Sequence, residues 1–579
     1  MANKIHLDIL SEGLDTWNAW RRKNPKIKPD LRGIRFTNVD MSFIDLHAAD
    51  LRGSVLTNTF FGYANFKKAK LDDSDLSGAD LRNANLSQAS LKKVRVVGCD
   101  LIDANCEKAD LSKASIGGSK LWRTNLHQAR LPEADLTQGE LYDAFCQEAN
   151  FDGADLRRAI LEGAQLQRSS LRKANLHTAN LSNAKLESAD LTDANLRSSY
   201  AKDADFYQAN LSNVQFQEAN LDGAVLSGCD LSTCNFSKAV LLNIKMLNCN
   251  LKGVNFSRLA LNGGILFQSD LTGAQLNLSQ CLHVEFTGCN MSNANLRNGI
   301  FDRAEFGRSE ALGAEAADLT NADLRGANLE NASFLGAIVQ DANFDHCRVY
   351  GLSAWDLKGT PKSQKNLIIT PQDQVDITTD DLEFAQLVSL IYHNNKIRNF
   401  MNTLTERNVL ILGRFAPERK IILDGLREKL REFNLLPILF DFDAPSDRDL
   451  TETVQALASM SMFVIVDVTS PKSTPLEMEA TVKQFKIPFL PILDSSVDQR
   501  PFPMMKDLQK SFHWVLPTLA YKSKEELFQN LKVAIVDRAV EKHNQLRDQK
   551  AKENITMLTI EDLLTSQNQK RSAKPKKKR

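Results

Sequence analysis

No stretch of this 579-residue chain approaches the roughly 18 consecutive apolar residues that a membrane-spanning helix requires. The opening segment MANKIHLDILSEG also lacks the basic start and apolar run of a secretory signal, so a cytoplasmic protein is expected. Nine cysteines are present, but there is no CxxC and no paired Cys/His spacing, which argues against a zinc site or a disulfide framework. A phosphate-cradling glycine loop and a Ser/His/Asp arrangement are missing as well, so no resident cofactor or metal is indicated. Net charge is zero, with 72 acidic and 72 Lys/Arg residues, yet the charge is unevenly placed. Residues 30 to 356 hold 40 acidic and 32 basic side chains, and seven basic ones crowd into the last ten residues, KRSAKPKKKR. That tail, 556 to 579, is expected to be disordered; it is a candidate for nucleic acid or anionic lipid, although a solubilising end explains it equally well.

Repetition is what the chain has in abundance. With Leu31 as a centre, Phe36, Met41, Leu46 and Leu51 follow at intervals of five, and the frame holds without insertion to Ala311. Of these 57 centres, only Cys106, Cys146, Ala201, Cys281 and Ala311 are not Leu, Phe, Met, Val or Ile. A small residue, usually Ala, precedes each centre by two, as in AADLRG and ADLTD. A period of five fits neither the 3.6 of a helix nor the 2.0 of a strand. It fits a chain that turns a corner every five residues, four sides closing a coil of twenty. Asn175, Asn195, Gln215, Asn235, Asn255, Gln275 and Asn295 recur at that spacing and predict an amide ladder on one face. Between Ala311 and Leu319 the frame slips by three residues, so a bulge or small loop is expected there. The two frames together hold 64 pentads, or 16 coils. All nine cysteines fall on inward positions, where a thiol is a small apolar filler.

The pattern resembles the pentapeptide-repeat family, which implies a right-handed quadrilateral β-helix over 29 to 357. Its open ladder edge needs a cover, and HLDILSEGLDTWNAWRR, within 1 to 28, reads as one capping helix with Leu7, Leu10, Leu14 and Trp17 on a single face. Some members of that family mimic double-stranded DNA and bind gyrase. Asp30, Asp50, Asp110, Asp190, Asp230 and Asp270 do share a face here, but Lys70 and Arg130 interrupt it. The small acidic excess falls far below DNA's one charge per about 1.7 Å.

After Leu357 the pentads stop, and 358 to 406 reads as a polar connector with helices. From 407 to 555 short apolar runs alternate with amphipathic helices: NVLILG, LLPILFDF, MFVIVDV and PFLPILD as strands, with helices over 419–433, 449–460 and about 475–485 between them. This predicts a parallel, flavodoxin-like α/β sheet whose ligands sit beyond the strand carboxyl ends. The segment 522 to 553 reads as one closing helix, a candidate for homo-oligomeric self-association. The segments ILGRFA, FDFDAPSDRDLTETVQALA and VIVDVTSPKSTPLEME resemble the Toll/interleukin-1-receptor-like (TIR-like) family. That resemblance implies a signalling or effector domain, with NAD or a related nucleotide as substrate and a glutamate that cleaves the nicotinamide-ribose bond. Glu477 is the candidate, since Glu479 is placed to pair with Lys483; yet Thr474, Pro475 and Glu477 also read as a helix-capping box. The tryptophan common in such catalytic helices is absent between Ser470 and Glu479. Arg414 (a phosphate contact or a surface ion pair), Asp441, Asp443, Arg448, Asp467 and Thr469 are the candidate nucleotide-binding residues. Three functions are thus expected to compete: a recognition rod coupled to an NAD-consuming domain, a non-enzymatic protein-binding scaffold, and a DNA-mimic topoisomerase ligand.

Overall fold

The computed structural model describes residues 2–309, 311, 313–393, 407–413, 416–441, 450–469, 479, 481–498, 500 and 503–553. They belong to two compact units, Met1–Gln364 and Lys365–Arg579.

In the first unit, parallel bridges join outward residues to those twenty later, as Asp30 to Asp50, Arg35 to Val55, Asp40 to Phe60 and Asp45 to Asn65; among the described residues the run lacks the rungs Asn210–Asp230, Asn235–Asn255 and Val240–Ala260. Four bridges per twenty residues make a four-sided coil. Centres give their N–H to the next coil (Leu31 N to Asp50 O, 2.8 Å), and outward residues give theirs to the coil before (Asp50 N to Pro29 O, 2.7 Å). The corner lies two residues past the centre, where the backbone is left-handed, as at Asn38 (φ 55°), Asp73 (φ 59°) and Gly98 (φ 64°). Asn, Asp and Gly tolerate that conformation, which explains their frequency there. Centres and small residues fill the interior, and stacked rings form columns: Phe216 on Phe236 at 5.3 Å, Phe286 on Phe306 at 5.0 Å.

The amide ladder is only partly made. Asn195 bonds Asn175 and Asn295 bonds Gln275, both at 3.0 Å, but Gln215 turns to the Asn213 carbonyl instead. Each asparagine oxygen of the ladder is already engaged by the N–H two residues on (Arg197 N to Asn195 Oδ1, 3.1 Å), so the rungs are secondary to a turn-stabilising role. At the frame slip, Asn290 bridges Asp318, a step of 28 residues in place of 20. The surplus forms a small loop closed by an antiparallel bridge between Ser309 and Ala314. Beyond it the ladder continues to Asn343–Ser363, past Leu357.

The cap is two helices, not one: α1 (Lys4–Ser11) and α2 (Leu14–Lys23), broken at Gly13, whose φ of 107° no other residue type adopts easily. Leu10 and Trp17 are buried, while Leu7 and Leu14 are half-buried.

The second unit is a seven-stranded sheet. Its strands are β1 (Leu367–Ile368), β2 (Thr378–Thr379), β3 (Asn408–Gly413), β4 (Leu436–Asp441), β5 (Phe463–Asp467), β6 (Phe489–Asp494) and β7 (Leu519–Tyr521), in the order β1-β2-β4-β3-β5-β6-β7. From β4 to β7 every pairing is parallel, while β1 and β2 add to the β4 edge antiparallel. The helices are α3 (Leu382–His393), α4 (Pro417–Glu432), α5 (Leu450–Ser459), α6 (Pro503–Ser511), α7 (Lys524–Gln529) and α8 (Arg538–Glu553). Three features depart from expectation. The connector contributes β1 and β2, β7 was not expected, and the closing helix is split, α7 and α8 being separated by a π-helical turn at Lys532–Asp537. Leu527, Leu531, Ile535 and Ala539 are buried at intervals of four. In a pure α-helix that stripe would drift by about 40° per step, and the looser π winding turns it back onto the sheet.

Candidate functional site

The parallel strands follow the flavodoxin-type order, with the direction of winding reversing between β3 and β5. Gly413 ends β3 beside that switch point. A Cβ there would meet Leu423 Cδ1 of α4 at 2.8 Å and Asp467 Cβ at 3.4 Å, so only glycine lets the strand end, the helix and Asp467 close up.

At the ends of β5, β6 and β7 three buried polar side chains converge on Arg419, the third residue of α4. Its Nε donates to Asp467 Oδ2 (2.8 Å), Nη1 to Asp494 Oδ2 (2.9 Å) and Nη2 to the Tyr521 hydroxyl (2.6 Å). Thr469 is drawn in twice: its N–H donates to Asp467 Oδ1 (3.1 Å), and its hydroxyl accepts the Asp494 N–H (3.0 Å). Burial would lower the pKa of Arg419, but the Asp467 charge and the Tyr521 hydroxyl outweigh it, so the guanidinium is held above its ordinary value. Burial likewise pushes the Tyr521 phenol up to about 12, despite the opposing effect of Arg419. The cluster is therefore a cation between two carboxylates and a neutral phenol. Every member is bonded to at least one other, which suits the cluster to fixing strand ends rather than to moving protons.

Of the expected site residues, Asp467 and Thr469 are brought together here. Asp441 ends β4 and pairs in register with Gly413, on the other side of the switch point. Arg414, Asp443, Arg448 and Glu477 lie outside the described residues. Glu479 forms the ion pair with Lys483 that their spacing predicts. Sequence reasoning passed over Arg419, Asp494 and Tyr521. A signal existed: FVIVD and FLPILD, neighbours in a parallel sheet, both end on aspartate.

On the first unit, five of the six aspartates of the acidic face are neutralised locally. Asp30 and Asp50 each hold an arginine two residues on (Arg32 at 2.8 Å, Arg52 at 2.7 Å), and Asp110, Asp190 and Asp270 lie within 4 Å of Lys92, Arg172 and Lys252. The Arg32 guanidinium holds Asp30 down to about 2. One corner instead carries aromatic rings on successive coils. Phe43 and Tyr63 are stacked at 5.1 Å while 65% and 59% exposed; further along the same side, one residue before the corner, Trp122 meets Tyr142 at 5.5 Å. Among the described residues no three His, Cys, Asp or Glu side chains converge as a metal site, and no helix is long and apolar enough to cross a membrane.

Comparison with known proteins locates these features. The family model described as pentapeptide repeats matches in eight copies between residues 49 and 349. Among solved structures, trypsin-treated QnrB1, a plasmid-mediated fluoroquinolone resistance protein, is 17% identical over 36% of this chain and 89% of its own (TM-score 0.21). HetL, a pentapeptide repeat protein involved in heterocyst differentiation regulation from the cyanobacterium Nostoc sp. strain PCC 7120, is 23% identical over 62% of this chain and 97% of its own (TM-score 0.12). Rfr23 from the cyanobacterium Cyanothece 51142 is 24% identical over 24% of this chain and 91% of its own (TM-score 0.13). No curated protein sequence gives a significant match. With its model repeated eight times between residues 49 and 349, the β-helical unit of this chain belongs to the pentapeptide-repeat family.

Proposed function

We propose that the chain is a protein-interaction scaffold whose β-helix presents side chains to a partner. The observation that carries this reading is the Phe43–Tyr63 pair. Both rings sit at left-handed corners (φ 64° and 57°), where a bulky residue is strained, and both stay largely in water. Neither stability nor solubility accounts for such a choice, whereas recognition does. Asparagine tolerates the same backbone, so Phe43→Asn with Tyr63→Asn removes the rings without disturbing the coil. Partner proteins retained on immobilised wild-type chain should be lost from this variant while its melting temperature holds or rises; unchanged retention would refute the reading.

A DNA-mimic function is disfavoured by the neutralised acidic face, and failure to inhibit gyrase supercoiling would agree. As a second reading, we infer that the α/β unit handles NAD or a related nucleotide, as its TIR-like segments imply. The flavodoxin-type strand order, whose switch point lies between β3 and β5, supports this. Nicotinamide release from NAD that disappears in Glu477→Ala is the expected result; no release, or release that survives the substitution, rejects it.

A further inference from the structure

Among the described residues, the first coil of the rod is covered on two of its four sides. In the ladder, each outward residue gives its N–H to the preceding coil. Its carbonyl, and the one two residues on, receive N–H groups from that coil. At Val55 these bonds run to Ile34 O (2.8 Å), from Phe36 N (2.8 Å) and, through the Thr57 carbonyl, from Asn38 N (3.3 Å). The first coil has no predecessor, so three groups on every side need a substitute or stay open.

On the Asp30 side, Asn3 N–H donates to Asp30 O and His6 Nδ1 accepts the Asp30 N–H, both at 3.0 Å. On the Asp45 side, Trp17 Nε1 donates to Asp45 O (2.9 Å), Arg21 Nη2 to His47 O (2.7 Å), and Asn18 Oδ1 accepts the Asp45 N–H (2.9 Å). On the Arg35 and Asp40 sides the corresponding groups take no hydrogen bond from any described residue. Burial tells the same story independently. Leu31, Leu46 and every centre from Leu51 to Phe306 are buried, whereas Phe36 and Met41 are only half-buried. Between α1 and the Arg35 side lies a groove of about 960 Å³ lined by Leu7, Leu10, Ile34, Phe36 and Arg35. Arg32 and Arg52 on its rim hold Asp30 and Asp50, but Arg35 has no ion-pair partner among the described residues.

We propose that an extended segment of a protein partner docks on the Arg35 side as an added strand, with the pattern small, acidic, large apolar. Each position follows from the coil's own chemistry. The small residue offers the carbonyl that the Arg35 N–H needs, and the apolar one gives its N–H to Arg35 O while its side chain covers Phe36. The acidic one stands to Arg35 as Asp75 stands to Arg95, one coil earlier in the same column and ion-paired at 3.6 Å. The inference rests on the scaffold reading and narrows what the partner presents.

The chain's residues 72–78, DDSDLSG, contain that pattern in Ser74, Asp75 and Leu76, so a fluorescein-labelled peptide of this sequence is the probe. Titrated with full-length protein, its anisotropy should rise to saturation. Arg35→Glu, at an exposed position, should weaken binding about tenfold or more without shifting the melting curve. Leu76→Asp in the peptide should abolish it. Absence of saturation up to about 1 mM, or binding indifferent to Arg35→Glu, overturns the docking edge. If the edge fails while the Phe43/Tyr63 variant still loses its partner, the scaffold reading survives; if that variant also retains its partner, both fall.

Discussion

A left-handed backbone every five residues sets which side chains the corners of the rod accept with ease. Thr178 is an exception, a β-branched residue at φ 57° whose hydroxyl makes only a local bond to the His177 carbonyl (2.6 Å). The left-handed conformation costs a residue with a Cβ roughly 1–2 kcal/mol, and glycine gives part of that back in chain entropy. Thr178→Gly should therefore stabilise the rod by about 1 kcal/mol, read as a higher melting temperature; a fall would mean that corner geometry is not limiting. Inward cysteines pose a different balance. Cys99, Cys229 and Cys289 donate to the carbonyls of Leu76, Phe206 and Leu266 in the coil before, as Ser269 does to Met246, so the thiol is a weak donor as well as a filler. Burial pushes all three up to about 12. An unfolded thiol ionises near pH 9, so above that pH the unfolded chain holds fewer protons than the folded one. Stability should then be unaffected below pH 9 and decline as pH rises toward 12. Serine at these three positions should preserve melting at neutral pH and make the alkaline decline shallower; an unchanged slope would exclude the thiols as its source.

Elements of the α/β unit meet through particular small residues. Gly425 faces Phe528, and a Cβ on it would clash with the Cζ–Cε2 edge of that ring. Alanine is a better helix former by about 1 kcal/mol, yet Gly425→Ala should destabilise the unit by about 1–3 kcal/mol because α4 must move away from α7. Denaturant unfolding followed in the full chain gives the sign: a stabilised variant would show that the contact yields freely. The same dependence on distant contacts decides what was legible beforehand. Pentads are visible because each corner repeats one local solution, so Leu31 and Phe301 obey the same rule 270 residues apart. Strands β3 to β6 are visible as unbroken apolar runs. In contrast, β7 is three residues long, and β2 is two threonines in a polar stretch, so pairing alone defines them. Arg419 and its partners lie 48, 75 and 102 residues apart, and nothing local in RKIILDGL announces that its arginine is buried. The single cap helix was misjudged for a related reason: the Leu7–Trp17 stripe has helical spacing, but Gly13 breaks it where the chain must turn along the coil.

Taken as a whole, the rod is a sum of nearly equivalent coils, each stabilised by its neighbours, and that regularity makes its one insertion testable. The Asn290–Asp318 step holds eight residues more than the others. Deleting Ser309–Ala316 (SEALGAEA) would place Ala317 in the small position and Leu319 five residues after Phe306, restoring the frame; the one expected centre it removes, Ala311, is exposed in the loop and not inward as the five-residue frame predicts. The ladder already passes the loop unbroken, with Phe306 N bonded to Ser333 O at 2.8 Å and Ala317 N to Phe306 O at 2.8 Å. The loop's contribution to the stack is therefore small, while closing it carries an entropic penalty on the order of 1–3 kcal/mol. The shortened protein should fold and melt at the same temperature or above it. If it does, the insertion is retained for something other than stability, and the loop becomes a second place on the rod to look for partner contacts. A shortened chain that fails to fold would instead show that the turn between Ser309 and Ala314 steers the register of the last coils, and the rod could no longer be treated as a sum of independent neighbours.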